Sequence, residues 1–213
     1  MAFEGWPAEA LEFYEGLAAD NSKSYWLAHK DVYDECVLAP MRELVAELEA
    51  EPGESKIFRP YRDVRFSKDK SPYKTEIAAS FRDGYVRLSA DGLGAGRGMH
   101  EMAADQLDRY RGAVAAGHAG EALAKIVAAL REQDIGVQGH DSLKKVPRGY
   151  PADHPRAELL RQKGLYAWKQ WPVEPWLGTP AARTKVTGFL ASVEPLGDWL
   201  AEYVGPSALA VGS

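Results

Sequence analysis

Apolar positions recur at two different periods along this chain, and the change of period divides it. Ala10, Leu11, Tyr14, Leu17 and Ala18 return every three to four residues, the spacing of one helix face. Pro7 suits the first helical position, where a missing N–H costs nothing. "ADNS" at 19–22 ends this helix and can cap the next. Trp26, Tyr33 and Val37 line a second helix over 24–37. Pro40 is expected to break the pattern, and Met41, Leu44, Val45 and Leu48 form a third helix that "EPGES" closes.

The period then falls to two. Asp83-Gly84 and Asp91-Gly92 separate short apolar and β-branched runs. Asp-Gly favours two-residue type I′ hairpin turns, which need positive φ at both central positions. The pattern predicts a meander over about 75–82, 85–90 and 93–99, preceded by a strand at about 61–67. A turn at 83–84 pairs Arg82 with Tyr85, Phe81 with Val86 and Ala79 with Leu88. Cross-strand partners share a face. One face is then Ile77, Ala79, Phe81, Val86, Leu88 and Ala90; the other is Glu76, Ala78, Ser80, Arg82, Tyr85, Arg87 and Ser89. A one-residue slip would destroy that split. Leu93 and Ala95 extend the apolar face, Gly94, Gly96 and Gly98 the polar one. Arg97 falls on the apolar side and is expected at a rim or beside a bulge.

After the meander, 105–133 reads as two helices or one broken near Gly117. Residues 134–152 are loop-like with a short strand at 143–146. A short helix over 154–163, a strand over 164–171 and closing helices over 180–204 follow. The fold class expected is α+β: an antiparallel meander sheet packed by helices. One domain over 1–213 is expected, helical at about 7–50, sheet at about 59–99 and mixed at about 103–204.

Composition adds boundaries. Hydrophobic residues at 46% and charged residues at 27% are ordinary globular values. The one cysteine, Cys36, cannot form an intramolecular disulfide and fits a reducing compartment. "MAFEGWPAEALEF" shows neither a basic n-region nor an apolar h-region, and no run reaches a membrane span. A cytoplasmic location without membrane partnership is the expectation.

Charge is where the picture changes. The chain carries −5 overall, which argues against a general nucleic-acid binder. Yet Lys56, Arg59, Arg62, Arg65, Lys68, Lys70 and Lys74 face only Asp63, Asp69 and Glu76 between 56 and 76, a local +4. Such a cluster repels itself unless something negative sits within it, and arginine grips phosphate or carboxylate through two parallel bonds. The glycine row offers a floor without side chains, where a ligand or another backbone can approach. The candidate ligand site is Arg62, Arg65, Lys68, Lys70, Lys74, Tyr85, Arg87 and His100, for a phosphorylated or other anionic small molecule. An interaction module docking an acidic protein or a single-stranded nucleic acid through the same segment is the alternative. A third reading pairs the arginines with Asp63 and Asp69 as a structural element.

Other chemistry is thin. None of His29, His100, His118, His140 and His154 has metal-ligand spacing, and no cofactor or metal is expected. His140 beside Asp141 and His154 beside Asp153 suit turns and caps. His100 is the candidate general acid or base. "GLGAGRG" matches no nucleotide loop, and Cys36 reads as filler within a helix.

Several blocks resemble a known family: "F-x-G-W-P" with "L-x-F-Y-x-x-L", "N-S-K-S-Y-W-L-A-H-K-D-V-Y", "R-D-V-R-F-S-K-D-K-S-P-Y-K-T", the glycine strand, and "L-K-K-V-P-R-G-Y-P-A-D-H-P". Together they resemble a family, mainly bacterial, catalogued as domain of unknown function 2461, over about residues 3 to 200. Asp20 stands where that family is expected to carry the first asparagine of a pair. The resemblance implies a single domain without secretion and carries over no catalytic residue or substrate.

Overall fold

The computed structural model describes residues 2–48, 55–65, 67–81 and 84–209. Phe66, Arg82, Asp83 and residues 49–54, which the sequence pattern assigns to strands, turns and a helix end, lie outside the described residues. The architecture is α+β with a six-stranded antiparallel sheet. Its strands are β1 (Ser55–Ile57), β2 (Glu76–Phe81), β3 (Gly84–Ser89), β4 (Gly92–Met99), β5 (Gly136–Gln138) and β6 (Leu165–Trp171), in the order β1-β2-β3-β4-β6-β5. The described residues form two compact units: 1–95 with 170–189, and 96–169 with 190–213.

The first unit opens with helices. α1 (Ala8–Ala19) buries Ala10, Phe13, Tyr14 and Leu17, so its inward stripe is rotated toward Phe13 and away from Ala18. Ser22 caps α2 (Lys23–Ala28) by accepting from the Tyr25 N–H at 3.1 Å, as a serine N-cap does. α3 (Lys30–Val32) runs into a π-helical segment, Tyr33–Leu38, and on into α4 (Ala39–Leu48). Pro40 therefore does not break the helix as its type predicts. The π turn just before it already bonds Ala39 N–H to the Asp34 carbonyl five residues back, and a π-bulge relaxes the ladder where proline lacks a donor. Met41, Leu44 and Val45 are buried, and α4 lies against β1 and β2.

The two faces of the meander are as the alternation predicts: Ile77, Ala79, Phe81, Val86 and Leu88 are buried, while Ser80, Tyr85, Arg87 and Ser89 are half-buried. The register is not. Phe81 pairs with Gly84, Ser80 with Tyr85 and Ala79 with Val86, two residues from the expected pairing. A shift of two preserves every residue's face, so the pattern could not detect it. Gly84 is not a turn glycine here. It lies in β3 under the Phe81 ring, where a Cβ would collide with that ring. Gly92 does adopt positive φ, +112°, whereas Asp91 does not, so the second Asp-Gly pair is not type I′ either.

The strand expected at 61–67 is absent among the described residues. The described residues between Tyr61 and Tyr73 form a loop, and an isolated bridge joins those two tyrosines. Arg62 N–H donates to the Pro72 carbonyl at 2.9 Å and Lys74 N–H to that of Pro60 at 2.8 Å. The first strand is instead β1, which pairs Lys56 with Ser80 and Ile57 with Ala79. Two prolines, Pro60 and Pro72, deny the loop a longer ladder.

The second unit holds α5 (Ala104–Ala115) and α6 (Gly117–Glu132), bent 92° at Ala116. Arg156 caps the end of α5, donating to the carbonyls of Val114 (2.6 Å), Ala115 (3.2 Å) and Ala116 (3.1 Å). A cation at the negative end of a helix is favourably placed. The strand expected at 143–146 is a loop; β5 at 136–138 pairs with β6 in its place. α7 (Ala157–Leu160) is shorter than the helix expected there. α8 (Ala181–Ser192) and α9 (Glu194–Tyr203) close the chain. Arg97 is half-buried and donates to the Leu190 carbonyl at 3.4 Å.

Candidate functional site

The outer face of β1–β3 is built by register. Lys56, Ser80 and Tyr85 are successive cross-strand partners and make one row. Phe58 continues β1, its N–H donating to the Ala78 carbonyl at 2.9 Å, and Ala78 pairs with Arg87 to make the next row. Partners share a face, so Lys56, Phe58, Tyr85 and Arg87 stand together on the side of the sheet opposite Ile77 and Leu88.

Lys74 joins them from the end of the loop. Its Nζ lies 5.5 Å from the Phe58 ring centroid and that of Lys56 lies 5.9 Å from it. Both distances fall within cation–π range, worth about 0.5–1 kcal/mol at an exposed site. Among the described residues no carboxylate forms an ion pair with either lysine. The Tyr85 ring is 6.2 Å from that of Phe58. Burial raises the Tyr85 phenol above its usual value, with Glu76 adding and Arg87 opposing, so it stays a hydroxyl donor at neutral pH. Arg87 is bonded to Glu76 at 3.1 Å and to Gln170 at 3.3 Å.

The loop arginines are arranged differently. Arg65 grips its neighbour Asp63 through two bonds, Nε to Oδ1 at 3.0 Å and Nη2 to Oδ2 at 2.7 Å, while 77% exposed. Arg62 pairs with Asp69, whose carboxyl is held far below its ordinary value by the Ser71 hydroxyl first and by Arg62 next. Lys70 donates to the Val64 carbonyl at 2.9 Å. Lys68 is exposed. Of the candidate residues, then, Lys74, Tyr85 and Arg87 come together on the sheet, whereas Arg62 and Arg65 are engaged with carboxylates of their own loop. Lys56 and Phe58 belong to the face and are absent from the sequence-derived set. Lys56 belongs to the local basic charge, and only its pairing in β1 with Ser80 of β2 brings it to Tyr85.

The glycine row is not an open floor throughout. At Gly96, in the second unit, a Cβ would come within 3.0 Å of Trp168 Cε3, so the missing side chain makes room for that ring. His100 belongs to the same unit. It is exposed, and its ring lies 4.3 Å from His140 and 5.4 Å from Tyr166. Asp141 pairs with Lys163 and accepts the Ser142 N–H at 2.7 Å, and His154 Nδ1 accepts the Arg156 N–H at 3.0 Å. His154 thus takes a local turn role, whereas the contact shown for His140 is with the His100 ring. Among the described residues no group of three or more His, Cys, Asp or Glu could hold a metal ion, and no single helix is long and apolar enough to cross a membrane.

Fold and site together define an α+β protein whose antiparallel sheet carries a basic, aromatic outer face. The chain belongs to the family described as conserved hypothetical protein (DUF2461), whose model matches residues 9–199. No curated protein and no solved structure matches it.

Proposed function

We propose that the outer face of β1–β3 binds a phosphorylated ligand. The observation that carries this reading is the pair Lys56 and Lys74. Two ammonium groups rest on one Phe58 ring with no carboxylate ion-paired to either among the described residues. Like charges so placed repel, and a phosphate between them would turn that repulsion into two charge-assisted bonds. Tyr85 and Ser80 add hydroxyl donors in the same row as Lys56. Arg87 is a supporting member, since it already shares a bond with Glu76. No catalytic step is assigned, because Tyr85 keeps its proton at neutral pH and the carboxylate that acts on it, Glu76, is bonded to Arg87. The proposal places the protein in the cytoplasm, where a lone thiol stays reduced.

Thermal unfolding in the presence of phosphate, pyrophosphate, sulfate and nucleotides tests it. A ligand that binds the native state raises Tm by mass action, by about 2.7 kcal/mol at a hundredfold excess over Kd. The expected result is stabilisation by at least one phosphorylated compound, lost in Lys56→Gln/Lys74→Gln. Absence of stabilisation by every anion in the panel would end the reading.

A further inference from the structure

We infer that the ligand of this face is a single-stranded nucleic acid, with Phe58 and Tyr85 as the surface on which its bases stack. The inference rests on the phosphate-binding reading and narrows it. Its starting point is the placement of the two rings. The unit's core takes the other side of the sheet, where Ile77, Ala79, Phe81, Val86 and Leu88 are buried. Phe58 and Tyr85 stand on the outer side, half-buried, with only the small side chains of Ala78 and Ser80 between them on β2. Rings on the solvent face of an antiparallel sheet do not serve the core beneath it. Half-buried, each residue keeps part of its surface open to solvent, and every nucleobase has a π face to lay on a ring.

The charge around the rings fits the rest of such a ligand. Lys56 and Lys74 sit against Phe58 itself. Ammonium groups that rest on a ring and pair with no carboxylate among the described residues can turn outward to phosphates, which would uncover the ring for a base. Arg59, Lys68 and Lys70 are exposed along the same segment and form no carboxylate ion pair among the described residues. Cations spaced along one stretch of chain match phosphates spaced along a strand better than a single phosphate. A duplex is disfavoured because its bases are already stacked on one another, and because a chain of net charge −5 lacks the broad basic surface that a duplex backbone attracts. An acidic peptide would satisfy the lysines and leave the rings unused.

The test is fluorescence anisotropy with a short labelled oligothymidine, with inorganic polyphosphate and polyglutamate as unlabelled competitors, over a salt series. Binding of the strand is expected to weaken with salt by about 0.7 in log–log slope for each phosphate contacted, and Lys74→Gln should remove about one such contact. Phe58→Leu keeps an apolar residue while removing the ring; it should weaken the strand about ten- to a hundredfold and leave polyphosphate unaffected. Tyr85→Leu provides a second reading of the same effect should Phe58→Leu fail to fold. If polyphosphate competes as well as unlabelled strand, and neither ring variant changes strand affinity, the nucleic-acid inference is overturned and phosphate binding stands. Preferential competition by polyglutamate would assign the face to an acidic protein instead. No binding of strand or polyphosphate even at low salt would remove both readings.

Discussion

The side-chain amide of Asn21 pairs with both backbone groups of Tyr73: Nδ2 donates to the Tyr73 carbonyl at 3.1 Å, and Oδ1 accepts the Tyr73 N–H at 3.0 Å. One side chain thus does what a neighbouring strand would do for a residue at the end of a loop. Tyr73 is 5% exposed, and its ring stacks on Trp26 at 4.5 Å and 8°. The loop 61–73 therefore leaves the protein through a fixed neck, and Lys74 follows directly. Asn21→Ala strips both partners from a buried backbone, a loss of about 1–3 kcal/mol. Asn21→Asp keeps an acceptor for the N–H but turns a lone pair toward the carbonyl, and should cost as much. Urea denaturation of the two variants against the parent measures this; an unchanged midpoint for both would show that the neck is held by the aromatic stack alone.

Gly92 has φ of +112°, and a Cβ there would run into the Trp171 carbonyl oxygen. Two separate obstacles meet at one residue, a backbone conformation that L side chains rarely adopt and a wall of backbone that cannot swing away. Gly92→Ala should destabilise by about 2–4 kcal/mol, read from the same denaturation curves. The corresponding change at Gly84 should cost less, since its obstacle is the Phe81 ring, a side chain that can shift.

These two glycines also show what could be read in advance. The alternation in 76–90 determined which residues face the core, because burial repeats every second residue in a strand. It could not distinguish registers two apart, and the glycines that the Asp-Gly pairs assign to turns begin β3 and β4 instead. Residues 61–67 read as a strand because Tyr61, Asp63 and Arg65 alternate with Arg62, Val64 and Phe66, yet the described part of this stretch is a loop. Its true organisation depends on Asn21, far away in sequence, which no local pattern announces. The same limit applied to the site. Lys74, Tyr85 and Arg87 were recognisable from charge and face, whereas Phe58 and Lys56 required the three-residue β1, too short to carry a period. The arginines were expected at the ligand because of their type, but nearby Asp63 and Asp69 reach Arg65 and Arg62 first.

Acid should release the last described segment of the chain from α5. Asp105 accepts the Ser207 hydroxyl at 2.7 Å and the Ala208 N–H at 2.8 Å, while Arg109 and Gln106 hold the carbonyls of Val204, Pro206 and Gly205. The bonds from Ala208 first, then Ser207, lower the Asp105 carboxyl from 3.8 to about 2. A carboxyl with a depressed folded value contributes stability that is full above its ordinary value and is lost as pH falls through the folded one. The Ala208 amide resonance should therefore titrate with a midpoint near 2, below the usual carboxylate range. Asp105→Asn should speed exchange of that amide at neutral pH. A midpoint at the ordinary aspartate value would mean that the contact contributes nothing.

The split between sheet face and loop can be tested directly by pairing two charge removals. Arg65 is 77% exposed and already bound to Asp63; an exposed ion pair gains little Coulomb energy and gives up side-chain freedom to hold its geometry. Arg65→Ala should leave both the denaturation midpoint and the affinity for phosphorylated ligands unchanged. Lys74→Gln removes a cation that no carboxylate neutralises among the described residues, on a side chain of similar length that can still cover Phe58. It should leave stability within about 0.5 kcal/mol and lower affinity about tenfold or more, because a charge-assisted bond contributes about 1.5–3 kcal/mol. Isothermal titration of the two variants with the tightest compound from the thermal panel gives both numbers. If Arg65→Ala weakens binding and Lys74→Gln does not, the ligand lies on the loop, the Asp63 pair opens to receive it, and the sheet face is not the site.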